Sequence, residues 1–226
     1  MHIEPGVVEG AKLTLSYATA VTALGLTSKL ALDSVRSNGG LAALALRSLL
    51  TTALVFCFFE VFPHQAVGVS EVHLILGSTL LLLFGAGAAA IGLAAGLLLQ
   101  GLLFAQFDLP QYGMNVTTLL VPLWAISVLA KRIIAPGTAY VDLSYKQALT
   151  LSTAYQGGIV AWVGFWALYG NGFASDNLMA VGSFGLAYMS VILIEPLVDL
   201  GVLAAAKALS AYSRGPLFNA RLHQAA

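Results

Sequence analysis

The sequence predicts an all-α membrane protein with about seven transmembrane helices. Hydrophobic residues make up 59% of the 226 residues and charged residues only 9%, whereas about a quarter of the residues of a soluble domain are charged. Apolar runs of about 20 residues recur along the chain, and each is long enough to cross a hydrocarbon core as a helix. The runs lack the apolar-polar alternation of a β-barrel, so helices are expected.

Breaks rich in Gly, Pro, Asn, Asp or Ser separate the apolar runs and define the predicted spans. The spans are 12–30, 43–62, 71–84, 86–106, 115–135, 147–169 and 178–206. The third is short for a bilayer, which indicates a tilted or half-buried segment that begins inside the protein. We expect one polytopic domain, 1–226, with an N-terminal segment 1–11, seven helices within 12–206 and a tail, 207–226, that is loosely ordered at its end.

The distribution of Lys and Arg predicts the orientation, because basic residues near span ends are retained in the cytoplasm. With the N-terminus outside and the C-terminus inside, nine of the ten basic residues lie on or near the cytoplasmic side and only Lys12 lies outside. The outer side then carries these acidic and histidine residues: Glu4, Glu9, Glu60, Glu71, Asp108, Asp176, His2, His64 and His73. Such a face attracts divalent cations. The expected location is the inner cell membrane, with several passes.

Charge and cysteine content exclude other classes of partner and site. The formal net charge is zero, so no basic excess indicates binding to nucleic acid. Cys57 is the single cysteine, which excludes a disulfide within one chain and a CxxC metal site.

The second residue gives the N-terminus the chemistry of a metal ligand. No basic segment or small-residue cleavage site precedes the first apolar run, so Met1 and His2 are expected to remain in the mature protein. The α-amine of Met1, the amide nitrogen of His2 and the His2 Nδ1 can then close adjacent five- and six-membered chelate rings. This planar set of nitrogens suits Ni(II) or Cu(II), with Co(II) weaker, and leaves one equatorial position open.

The fourth nitrogen is expected from His73, which opens the third span on the predicted outer side. Ionisable groups at the membrane are costly to retain and are functional candidates for that reason. His64, which follows Pro63 in a polar loop, is the competing ligand. The structural alternatives are a solvated His2 and a capping or interfacial His73.

Four stretches share their order and spacing with one family of membrane proteins: MHIEPG at 1–6, VHLILG at 72–77, GLLLQGLLFAQFDLPQYGMNV at 96–116 and LIEPLVDLGVLAAA at 193–206. Together they resemble the CbiM/NikM family, the substrate-binding (S) components of energy-coupling factor (ECF) transporters for cobalt and nickel. The resemblance implies a seven-helix S component whose N-terminus folds inward. It also implies that Met1, His2 and His73 bind Ni(II) or Co(II) as the transported substrate, without an organic cofactor.

The chain departs from the family pattern at several positions. Pro5 and Val7 stand where the family carries an acid and an aromatic residue, and AVGVSE replaces the usual Pro-Gly-Gly-Thr-Ser before the histidine. GMNVTTL keeps Asn115 but loses a second Asn. We expect Asn115 either to hydrogen-bond a ligand histidine or to cap the fifth span. The chain resembles a divergent member, and the choice between nickel and cobalt stays open.

The energy source must lie in other subunits, because the chain lacks the GxxxxGK[ST] motif of ATP-hydrolysing proteins. The resemblance implies a transmembrane coupling (T) subunit and two cytosolic ATPases, often with a small auxiliary membrane subunit. Transport would then follow capture at the outer face by tilting of the whole subunit in the lipid bilayer. The alternatives are a membrane-embedded enzyme, although HExxH and GxSxG are lacking, and a non-metal permease or scaffold.

Two further patterns have open roles. Glu195 and Asp199 lie one helical turn apart in the last span, where they are expected to form a structural pair or a functional site but not to bind the metal. Small residues at Gly85, Ala89, Gly92 and Gly96 let helices approach closely. They predict either internal packing or docking of the coupling subunit.

Overall fold

A computed structural model describes residues 3–224 and shows a bundle of α-helices with one small hairpin. The helices are α1 (Leu13–Ser37), α2 (Gly40–Glu60), α3 (Gly77–Phe84), α4 (Ala86–Leu103), α5 (Tyr112–Ile133), α6 (Tyr145–Asn171), α7 (Ser175–Met189), α8 (Glu195–Ala208) and the short α9 (Ser210–Ser213). The strands β1 (Gln65–Val67) and β2 (Ser70–Val72) pair antiparallel between α2 and α3.

Within residues 3–224, four helical segments are long and apolar enough to cross a membrane: Gly40–Glu60, Ala86–Leu103, Gln106–Ile133 and Ser175–Ala208. The prediction of an all-α membrane protein is confirmed at this level. The number of seven spans, the division of the domain and the orientation of the termini stay predictions.

The third and seventh predicted spans are not continuous helices in the structure. Helix α3 begins only at Gly77, because residues up to Val72 belong to the hairpin and Leu76 adopts a left-handed conformation with φ of 56°. The seventh span is interrupted between α7 and α8 by a 3-10 turn, Ser190–Leu193. Pro196 lies in the first turn of α8, where its missing N–H costs no hydrogen bond within the helix.

The small residues of α4 pack against helices of the same chain. A Cβ on Gly92 would lie 2.4 Å from Thr51 Oγ1 of α2, and one on Gly96 would lie 2.6 Å from Val55 Cγ1. The Thr51 hydroxyl also donates to the Ala88 carbonyl at 2.8 Å. These positions therefore serve internal packing, the first of the two roles that the sequence predicts for them.

The end of the tail packs on the bundle, so the expectation of loose order is wrong there. Phe218 stacks on Phe84 of α3 with ring centroids 5.8 Å apart, and Leu222 is buried. The Asn219 amide donates to the Leu83 carbonyl at 2.6 Å, which satisfies a carbonyl that the end of α3 leaves without a helical partner. Arg221 donates to the Ala135 carbonyl at 2.7 Å.

Candidate metal-binding site

The described part of the N-terminal segment, from Ile3 onward, begins beside the hairpin. Ile3 forms an antiparallel bridge with Ser70, and the Glu4 amide donates to the Val69 carbonyl at 3.2 Å. Ile3 is completely buried. The predicted ligands Met1 and His2 immediately precede it and lie outside the described residues.

Close packing on the end of α6 holds the next part of the segment. A Cβ on Gly170 would lie 1.7 Å from the Val7 carbonyl oxygen, so only glycine leaves room for the segment there. Val8 is buried, and Lys12 Nζ donates to the Gly170 carbonyl at 2.8 Å. The segment is therefore anchored both at the hairpin and at α6.

His73 lies in the connection between β2 and α3 and is 1% exposed. Its Nε2 is 2.9 Å from Glu71 Oε2, and its ring lies nearly perpendicular to that of Phe59, with centroids 5.3 Å apart. Because α3 begins four residues later, His73 is neither a helix start nor a cap. The structure makes it a buried imidazole held by a carboxylate.

His64 covers His73 from the solvent side. The two rings are stacked, with centroids 4.9 Å apart and planes inclined by 16°, and His64 is exposed. Nitrogen lone pairs lie in the ring plane, so two stacked, nearly parallel imidazoles cannot both direct a lone pair at one metal ion. In this arrangement only one of the two histidines can serve as the fourth ligand.

Asn115 connects the N-terminal segment to α5. Its Oδ1 accepts a hydrogen bond from the Ile3 amide at 3.0 Å. Helix α5 already begins at Tyr112, so the expectation that Asn115 caps the helix is wrong. The sequence predicts Asn115 near the site but gives no sign of Ile3 as its partner, because no local pattern links residues 112 positions apart.

Three carboxylates give this end of the protein a negative potential. Glu71 contacts His73, and burial followed by the charge of Glu71 raises the pKa of Glu4. Asp108, in the 3-10 turn before α5, is buried and lies within electrostatic range of both glutamates. The sequence predicts Asp108 on this face without marking it as part of the site; its place in the stretch FDLPQYG is the only signal for it. Neighbouring carboxylates favour the approach of a cation.

No group of three His, Cys, Asp or Glu side chains within residues 3–224 is arranged to hold a metal ion. The predicted metal centre does not require such a group of three side chains. It draws a single side chain, His73, from this part of the chain, and its other three nitrogens belong to Met1 and His2.

A cavity of about 450 Å³ lies elsewhere, at the tail. Its lining includes Asp33 and Asn38 from the end of α1, Lys131 from α5, and Arg221. The hairpin and His73 do not line it, so this cavity is not part of the candidate site.

Comparison with known proteins gives a family and a fold. The family model described as CbiM, cobalt uptake substrate-specific transmembrane region, matches residues 2–211. A solved structure described as a "Crystal Structure of an transition metal transporter" is 17% identical in sequence, with a TM-score of 0.61 over 93% of this chain and 94% of that one. At this identity the likeness shows a shared fold. No curated protein matches the chain.

Proposed function

The chain belongs to the CbiM family of cobalt uptake substrate-specific transmembrane proteins, and we propose that it is the S subunit of an ECF-type transporter that captures Ni(II) or Co(II). The family consists of transport components, which is consistent with a protein that is not an enzyme. The observation that carries the proposal is the anchoring of the N-terminal segment, in which Ile3, Val7 and Val8 are buried. Ile3 is paired with Ser70 and bonded to Asn115, close to a buried histidine that follows the same hairpin.

The proposed ligands are the Met1 amine, the His2 amide nitrogen, His2 Nδ1 and one nitrogen of His73. Only two peptide links, each with about 3.8 Å between Cα atoms, join Met1 to Ile3, so a metal centre that uses the first amine would have to form near the hairpin. Binding the metal requires loss of protons from the amine and the amide, and it closes two chelate rings around the ion.

His73 is well prepared to complete such a centre. When Nε2 donates to Glu71, the proton resides on Nε2 and Nδ1 carries the lone pair that coordinates a metal. A carboxylate that accepts a hydrogen bond from a ligand histidine orients the ring and raises its basicity. Burial against Phe59 keeps the ring from rotating into solvent.

Import would follow from the action of partner subunits. We assign energy conversion to two ATPases and their coupling to a T subunit, because the 226-residue sequence has no ATP-binding motif. The carboxylates Glu4, Glu71 and Asp108 would concentrate cations at the predicted outer face before capture. Tilting of the whole subunit would then release the ion on the cytoplasmic side.

A two-residue extension tests the amine ligand directly. We expect the purified protein to bind one equivalent of Ni(II) or Co(II) in calorimetry, and a variant with two glycines before Met1 to lose high-affinity binding, because the extension moves the amine out of the chelate and places the histidine fourth, where no planar four-nitrogen set with the new terminus forms. The matched control carries the same two glycines after Ala226. Unchanged affinity in the N-terminally extended protein would contradict the proposal.

Two histidine substitutions identify the fourth ligand. We expect His73→Ala to abolish high-affinity binding, as His2→Ala does, because each removes a coordinating nitrogen. His64→Ala removes only the ring stacked above His73 and should change the affinity far less. Calorimetry with Ni(II) on the three purified variants measures the ranking, and the reverse order for His64 and His73 would place the ligand in the loop.

A further inference from the structure

Two carboxylates lie together in the protein interior, away from the candidate metal site. Glu195 and Asp199 occupy the first two turns of α8 and are 0% and 1% exposed. Glu195 accepts hydrogen bonds from Ser152, at 2.6 Å, and from Gln156, both on α6. Asp199 accepts one from Thr79 on α3. We call Glu195 and Asp199 the α8 carboxylate pair.

The α8 carboxylate pair has no basic partner in the described part of the chain. Within residues 3–224, no Lys, Arg or His lies within salt-bridge distance of either carboxylate. The titratable groups that face the pair from other helices are Tyr155 of α6 and Tyr188 of α7, and α3 contributes hydroxyls. Two adjacent negative charges are costly in a buried site without a compensating positive charge.

The single hydrogen of the Ser78 hydroxyl indicates where an additional proton lies. Ser78 Oγ lies 2.8 Å from Asp199 Oδ2 and 3.3 Å from Glu195 Oε1. A hydroxyl carries one hydrogen and two acceptor lone pairs, so it cannot donate a full hydrogen bond to both carboxylates. A proton on Glu195 Oε1 resolves the conflict, because Glu195 then donates to Ser78 and Ser78 donates to Asp199.

A neighbouring acceptor also lacks a donor. Gln156 is fully buried and its Nε2 donates to Glu195, yet its Oε1 has no hydrogen-bond partner among residues 3–224. The Tyr155 hydroxyl is likewise buried without a partner in that range. Buried polar atoms are normally satisfied, so an acceptor without a donor beside two carboxylates points to an additional hydrogen at the pair.

Close packing favours a proton over a metal ion at this position. A Cβ on Gly77 would lie 2.2 Å from the Tyr155 ring, so the start of α3 packs directly on α6. The carboxylate oxygens already accept hydrogen bonds, and Gln156 directs its amino group, which cannot coordinate a cation, at Glu195. A proton needs no movement of these helices.

We propose that the α8 carboxylate pair is a binding site for one proton, shared between Glu195 and Asp199 through Ser78. Ser78 and Thr79 lie at the start of α3, which directly follows the segment that carries His73. Loss of the proton leaves two like charges between α3 and α8 and weakens the contact between these helices. The proton therefore stabilises the helix that follows the candidate metal site. This inference does not depend on the proposed transport function.

Infrared spectroscopy of the metal-free full chain in lipid tests the proposal. We expect a carbonyl band of a protonated carboxyl group at neutral pH, which shifts in D₂O, disappears at alkaline pH and is lost in Glu195→Gln. Glu60→Gln, which removes a carboxyl group at the end of α2, is the matched control and should keep the band. A wild-type protein without this band, or a band unchanged by Glu195→Gln, would overturn the proposal.

Two further measurements keep the test decisive if Glu195→Gln folds poorly. Ser78→Ala preserves both carboxyl groups but removes the relay between them, so we expect the band to change frequency; an unchanged band would count against a shared proton. Metal analysis of the wild-type and Asp199→Asn proteins forms the second arm. One equivalent of a metal ion that is lost in Asp199→Asn would show a cation site and overturn the assignment of a proton.

Discussion

At the scale of single residues, Glu71 determines how His73 presents its nitrogens. Its carboxylate lies 2.9 Å from His73 Nε2 and contributes to the raised pKa of Glu4. One side chain thus orients the candidate ligand and strengthens the local negative potential. Both effects depend on charge and are removed by an isosteric amide.

Substitution of Glu71 by Gln should weaken metal binding without abolishing it. We expect the Ni(II) affinity of Glu71→Gln to fall about 10–100-fold, the range typical for partners that hold a ligand histidine. Calorimetry at neutral pH measures the change. Glu9→Gln is the matched control because Glu9 is an exposed carboxylate of the same N-terminal segment, and an equal loss in both variants would contradict a specific role for Glu71.

At the scale of elements, the N-terminal segment depends on space that α6 leaves for it. The backbone of Val7 passes so close to Gly170 that a methyl group would overlap the Val7 carbonyl. Lys12, which directly follows the segment, donates a hydrogen bond to the carbonyl of the same glycine. The position of Ile3 beside the hairpin is therefore coupled to packing at the far end of the segment.

Substitution of Gly170 by Ala should displace the segment and lower metal affinity. We expect a loss of about 1–3 kcal/mol in the free energy of unfolding, as for other insertions into packed sites, together with weaker Ni(II) binding. Thermal unfolding and calorimetry give the two readouts. Gly157→Ala on the same helix is the control, because a Cβ there meets nothing within 4 Å; equal effects of the two substitutions would show that segment packing is not responsible.

The tail is a second element whose role depends on the whole bundle. Phe218 and Asn219 contact the last turn of α3, whose opposite end holds Ser78 of the α8 carboxylate pair. Helix α3 is only eight residues long, so contacts at its ends contribute much of its stability. The hairpin side and the tail side of the protein are thus joined through this helix.

At the scale of the whole molecule, protonation opposes metal capture. An α-amine has an unperturbed pKa of about 7.7–8.0, and the ion competes with protons for it and for the imidazoles. Burial, and then the charge of Glu71, raise the pKa of Glu4. Protonated Glu4 is neutral and does not attract a cation.

The affinity for Ni(II) should therefore rise with pH. We expect an increase from about pH 6 to about pH 8 as the amine and the imidazoles lose their protons, measured by calorimetry in buffers of different ionisation enthalpy. A pH-independent affinity would contradict coordination by the amine.

The contribution of Glu4 to folding stability changes with pH in the opposite direction. Because the pKa of Glu4 is raised in the folded state, its contribution favours folding at low pH and is lost as pH rises through that raised pKa.

The sequence alone determined the membrane class, the approximate positions of most helices and the choice of His73 as a candidate. These features follow from local quantities: the length of apolar runs, the turn residues between them and the coordination chemistry of the first two residues. The family pattern added the expectation of a transport component, which the family match over residues 2–211 supports.

Only the tertiary structure decided which distant groups meet. It interrupted the third and seventh spans, packed the tail on α3, paired Asn115 with Ile3 and surrounded the α8 carboxylate pair with hydroxyls from two other helices. These contacts join residues that are tens of positions apart or more. They arise because buried polar atoms must find partners and helices must pack without voids, conditions that hold for the whole bundle and leave no periodic signal in the sequence.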